Sequence, residues 1–101
     1  MKFEIDKQTD KTIFKLETKS LDHNIAAALK AELVFLQKET ENQFIIDLGD
    51  VTKCDSSGLS VLLLSERLER EKNRKLILQN VNANVRDLMK IARLDRVFDI
   101  K

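Results

Sequence analysis

Proline, tryptophan and tyrosine are absent from this sequence, glycine occurs twice, and cysteine and histidine occur once each. Each shortage closes off a class of function. A lone cysteine makes no internal disulfide, which fits a cytoplasmic chain. One Cys, one His and scattered carboxylates show no metal-ligand spacing, so neither a metal nor any other cofactor is expected. Without Trp or Tyr there is no platform for stacking bases. The 18 basic and 17 acidic side chains nearly cancel and no Lys/Arg cluster forms a phosphate-binding stripe, so nucleic acid is not the expected partner. No apolar run approaches membrane-spanning length, and the opening Met1-Lys2-Phe3-Glu4-Ile5-Asp6 alternates in character unlike a secretory signal. Membrane insertion is therefore not expected.

What is present is an ordinary globular composition. With 43% apolar residues, the 101 residues suffice for one domain, residues 1–101, around a single modest core. Phe3-Glu4-Ile5 alternates and reads as a short strand. After turn residues Thr9-Asp10-Lys11, Thr12 to Leu16 reads as a second strand, antiparallel to the first. Asp22 is a candidate N-cap for a helix whose stripe is Ile25, Leu29, Leu33 and Leu36. Phe44-Ile45-Ile46-Asp47-Leu48 has the continuous apolar character of a central parallel strand, broken by Gly49-Asp50. A helix capped by Ser56 or Ser57 runs to about Lys72. Leu76-Ile77-Leu78 is a buried strand. Asn80 or Asn82 caps a third helix that turns Val85, Leu88, Met89 and Ala92 inward, and Val97 to Ile100 is a last strand. The order β-β-α-β-α-β-α-β implies an α/β fold with a mostly parallel sheet of four to five strands and helices packed on it.

The chemistry-bearing stretch is Cys54-Asp55-Ser56-Ser57-Gly58-Leu59, at a strand-to-helix corner. Gly49 and Gly58, the only glycines, bracket it. Three readings compete there. A nucleophile elbow wants Gly-x-Ser-x-Gly, with a His base and an acid later in the chain. Here Cys54 or Asp55 stands where the first glycine belongs, and His23 precedes the serines. A Cys54–His23 thiolate pair is the second reading, against which Cys54 is a small buried filler. The third is plain N-capping, since Asp and Ser are favoured at that position anyway. An enzyme is not expected, for want of a second catalytic group. On the following helix, residues turning by about 100° per position place Ser57, Ser60, Arg67 and Glu71 on an outer strip with Leu64 inside it, which marks Leu64 as a candidate contact residue.

Asp55-Ser56-Ser57-Gly58-Leu59, after Phe44 to Leu48, resembles the signature of the STAS domain, the fold of bacterial anti-sigma factor antagonists. Leu21-Asp22-His23 and the segment Val85 to Leu94 are similar to further parts of that family. The resemblance implies a STAS-like arrangement and a phosphoprotein that regulates transcription by partner switching. The unphosphorylated domain would bind an anti-sigma factor that is also a serine kinase, and phosphorylation of Ser56 would release it; a phosphatase is a further candidate partner. Asp22, His23, Asp55, Ser56, Ser57, Gly58 and Ser60, together with Leu64 from the outer strip of the helix, are the expected partner-binding surface. An alternative is a STAS subunit bound to the ATPase of a bacterial lipid-transport complex. Such subunits tend to carry Asp-Thr-Gly-Gly where this chain has Asp55-Ser56-Ser57-Gly58. The chain departs from the antagonist pattern at Ser60, in place of a second glycine, at Lys19-Ser20, in place of Gly-Glu, and at Arg93, where a glycine often precedes the leucine. A last strand with an edge left open leaves the oligomeric state undecided.

Overall fold

The computed structural model describes residues 1–101. Strand β1 (Phe3–Lys7) runs antiparallel to β2 (Lys11–Leu16), pairing Phe3 with Leu16 and Lys7 with Thr12 across a turn closed by the Gln8 N–H on the Lys11 carbonyl. Alternation in β2 buries Thr12, Phe14 and Leu16 on one face, and Phe3 stacks on Phe14 with ring centroids 4.9 Å apart. There follow β3 (Ser20–Leu21), α1 (Ala26–Glu39), β4 (Gln43–Asp47), β5 (Lys53–Cys54), α2 (Ser56–Arg70), β6 (Ile77–Gln79), α3 (Ala83–Ile91) and β7 (Asp99–Ile100).

The main sheet has the order β1-β2-β4-β6-β7, parallel from β2 onward, so the continuous apolar run of β4 sits at its centre. The order rises steadily along the chain, and repeated right-handed crossovers then place all three helices on one face. The core there joins Phe14, Phe44, Ile46 and Leu78 to Leu29, Leu33, Leu62, Val85 and Met89. Each buried side chain of this size contributes about 1.5–3 kcal/mol. The other face carries Ile13, Ile45 and Ile77 in register across β2, β4 and β6, outside that core. The expected element order is recovered, with two additions: β3 and β5, two residues each, pair parallel in a separate ribbon.

Several boundaries differ from expectation. Asp22 does not cap α1: that helix begins after Ile25 with no side-chain cap, and the Asp22 Oδ1 instead accepts the Asn24 N–H at 3.0 Å to close the preceding turn. Neither serine caps α2: Asp55 does, with Ser56 and Ser57 as the first two helical residues. The helix ends at Arg70 rather than Lys72, because Asn73 turns left-handed (φ 60°) and the Arg74 N–H reaches back to the Glu69 carbonyl. Asn82, not Asn80, caps α3, while Asn80 (φ 58°) donates to the Asp47 carboxylate. Ala92 is exposed at the end of α3, where Arg93 (φ 60°) stops the helix. The last strand is only Asp99–Ile100, preceded by buried Phe98.

The helical wheel of α2 also misses three buried polar residues, Ser65, Glu66 and Glu69. Ser65 donates to the Gln37 Oε1 at 2.6 Å, and Gln37 donates back to the Ser65 carbonyl and to the Glu69 Oε2. Arg74 lies 3.5 Å from the other Glu69 oxygen, and Lys72 donates to the carbonyls of Gln37 and Thr40. This network ties the C-terminal ends of α1 and α2 together, far along both helices from the corner.

Candidate functional site

The corner is built by the small ribbon. Leu48 is fully buried at the end of β4, and the Gly49 N–H closes the next turn on the Asp47 Oδ1 at 2.8 Å. The chain then rises through β5 alongside β3. The Thr52 and Lys53 N–H groups both donate to the Lys19 carbonyl, and the Asp55 N–H donates to the Leu21 carbonyl at 3.1 Å. Two segments about 30 positions apart, 19–23 and 52–58, thereby become one surface.

Asp55 is the knot. Its Oδ1 accepts the Gly58 N–H at 3.0 Å, capping α2. Its Oδ2 accepts the His23 N–H at 3.1 Å and lies 3.4 Å from the His23 Nδ1. The Gly58 hydrogen bond, with smaller help from His23, holds the Asp55 carboxyl below the usual carboxylate range, so it stays ionised at neutral pH. Gly58 is buried against Leu21: a Cβ there would fall 2.7 Å from the Leu21 Cγ and closer still to the Leu21 carbonyl oxygen. The missing side chain thus answers a need inside the fold: Gly58, expected on the partner-binding surface, is buried.

Ser56 is exposed at the first position of α2 and Ser57 is half-buried at the second. Neither hydroxyl is used in the cap. Ser60 is exposed and spends its own hydroxyl on the Ser56 carbonyl at 2.9 Å. The corner therefore brings together Asp22, His23, Asp55, Ser56, Ser57, Gly58 and Ser60. Leu64 lies one helical turn beyond Ser60. It is half-buried rather than part of an open polar strip, and it lines a hollow of about 310 Å³ with Lys30, Ser60, Val61 and Arg67.

This geometry bears on the nucleophile readings. Burial, reinforced by the negative charge of Asp55, pushes the Cys54 thiol up to about 11, so it is protonated near neutral pH and is no thiolate. The His23 ring is directed to Asp55, and no hydrogen bond joins it to either serine hydroxyl, so no base is positioned to activate Ser56 or Ser57. No three His, Cys, Asp or Glu side chains gather to hold a metal ion. No helix is long and apolar enough to cross a membrane. The partner the sequence reading missed is Leu21, whose role depends on a pairing no local pattern encodes.

Comparison with known proteins gives a consistent picture. Residues 5–100 match the family model described as "Mlab, STAS domain". Among solved structures, a Thermotoga maritima protein assigned as an anti-sigma factor antagonist is similar at 22% identity and a TM-score of 0.85, over 97% of this chain and 84% of that one. An anti-sigma factor antagonist (STAS) domain protein from Planctomyces limnophilus matches at 14% identity and a TM-score of 0.85, over 97% and 87%. The Bacillus cell fate determinant SpoIIAA in its phosphorylated form matches at 18% identity and a TM-score of 0.73, over 99% and 91%.

Proposed function

The chain belongs to the STAS domain family, and we propose that within it the protein is an anti-sigma factor antagonist controlled by phosphorylation of Ser56. In its unmodified state the corner docks on an anti-sigma factor that is also a serine kinase. Transfer of phosphate to Ser56 ends that docking, and a phosphatase restores it. The protein is then a ligand and a substrate in the cytoplasm rather than a catalyst.

The observation that carries this reading is the division of labour between neighbours. Asp55 caps α2 and grips His23, leaving the Ser56 hydroxyl exposed and outside the fold's own bonding. A phosphate there adds about −1.5 to −2 charges at pH 7. The first amides of a helix lack intrahelical acceptors and carry partial positive charge, which favours an anion by about 0.3–1 kcal/mol, while ionised Asp55 opposes it. The fold therefore tolerates the group. A partner surface shaped for a neutral hydroxyl must desolvate and face the new charge, at a cost of several kcal/mol. The test is incubation with ATP and a purified anti-sigma factor kinase from the same source, followed by intact mass. A single phosphate-sized gain that disappears in Ser56→Ala is expected. Stable association with a lipid-transport ATPase and no modification would contradict the proposal.

A further inference from the structure

We propose that β1 is a self-association edge, on which a second copy of this chain adds its own β1 antiparallel and joins the two sheets into one. The main sheet ends in β7 on one side and β1 on the other. β7 is only Asp99–Ile100, whereas β1 offers Phe3–Lys7. Neither proline nor a bulge blunts it: its register with β2 is unbroken from Phe3 to Lys7. The Glu17 N–H donates to the Lys2 carbonyl, and the Gln8 N–H to the Lys11 carbonyl. Antiparallel ladders alternate hydrogen-bonded and non-bonded pairs, so Lys2, Glu4, Asp6 and Gln8 turn their backbone groups to β2. Phe3, Ile5 and Lys7 turn theirs outward, where no strand of this chain meets them. Of the large apolar side chains left exposed, Met1 and Ile5 both belong to this edge, at 45% and 41%.

Backbone parity and charge together select the occupant and its register. Setting Phe3 opposite the second copy's Ile5 makes these residues bonded pairs, each exchanging both backbone hydrogen bonds. Their side chains then meet on the face that carries Phe14 and Leu16. On the other face Lys2 meets the second copy's Asp6, and two-fold symmetry repeats that pair. Glu4 meets its own copy on the axis, with Lys15 beside it in β2. Sliding the strands one way by a bonded pair sets Ile5 on Ile5 but drives Glu4 against Asp6. Sliding them the other way shortens the overlap. Pairing along one short edge is at the small end of interfaces, so the dimer is weak and forms as concentration rises. The proposal needs nothing from Ser56 and stands or falls independently of the phosphorylation reading.

The test is sedimentation equilibrium of the full chain from micromolar to millimolar concentration. The parent should pass from monomer to dimer and no further, because the two-fold uses up the edge. Asp6→Lys should weaken dimerisation at least tenfold and Lys2→Asp/Asp6→Lys should restore it, with melting temperatures in dilute solution unchanged. In a Cys54→Ser background, Glu4→Cys sets a sulfur opposite its own copy in a non-bonded pair, with Cα atoms about 4.5 Å apart and within disulfide range. It should cross-link on oxidation, and faster than Ile5→Cys in the same background. A parent that stays monomeric, a dimer indifferent to Asp6→Lys, or faster cross-linking through Ile5→Cys would overturn the proposal.

Discussion

Gly58 packs so closely on Leu21 that a methyl group added at Gly58 would fall 2.7 Å from the Leu21 Cγ. Helix propensity alone says that Gly58→Ala should stabilise α2 by about 1 kcal/mol. The contact says the reverse, because the Leu21 carbonyl is backbone, holds the Asp55 N–H, and cannot swing aside. Gly58→Ala is expected to lose about 2–3 kcal/mol, lowering the melting temperature by roughly 10 °C or more. A melting temperature at or above the parent's would refute the close approach.

Asp55 gives the corner an acid sensitivity whose sign follows from its hydrogen bonds. Its folded carboxyl sits below the ordinary value, chiefly because of the Gly58 N–H. Stability from such a group is complete above the unfolded pKa and is lost as pH falls through the folded one. Between about pH 5 and pH 2 the parent's melting temperature should therefore fall more steeply than that of Asp55→Asn. At neutral pH, Asp55→Ala should melt a few degrees lower through loss of the cap. Parallel acid curves for parent and Asp55→Asn would show that the carboxylate does not hold the corner.

Glu69 is fully buried, with one oxygen on Gln37 and the other 3.5 Å from Arg74. Removing it takes the counter-charge from beside the Arg74 guanidinium, which keeps its hydrogen bonds to the Thr40 and Glu41 carbonyls, and leaves one Gln37 N–H without its acceptor. Glu69→Ala should cost about 3 kcal/mol, read as a melting drop of at least about 10 °C. Because the network lies at the far end of α2, phosphate acceptance at Ser56 should persist below that melting point.

Arg93 holds a left-handed conformation that costs an ordinary residue about 1 kcal/mol, at the helix end where glycine is most at home. Arg93→Gly should therefore be neutral to stabilising by up to about 1 kcal/mol in chemical denaturation, unlike glycine introduced within a helix. A loss of 1 kcal/mol or more would refute that account.

The parts of the fold written in local pattern were legible: the alternation of β2, the apolar run of β4, the stripe of α1 and the strand-to-helix corner at Asp55-Ser56. The parts made by distant pairing were not. β3 and β5 are too short to carry a period, yet they decide that Leu21 lies over Gly58 and that His23 meets Asp55. Asp22 and Ser56 both have cap chemistry. Which residue caps is settled by backbone position, and Asp22 spends its carboxylate one turn too early. Wheels drawn from apolar residues also hid Ser65, Glu66 and Glu69: Ser65 and Glu69 are buried against Gln37 of α1, with Arg74 of the following turn beside Glu69, and Glu66 pairs with Arg70 one turn on.

The most direct test of the central claim compares, by calorimetric titration, the affinity of the unmodified and the Ser56-phosphorylated protein for the anti-sigma factor kinase proposed as its partner. The account predicts at least a tenfold loss on phosphorylation, about 1.4 kcal/mol or more, with melting temperatures within a few degrees of each other. Equal affinity of the two forms would contradict it.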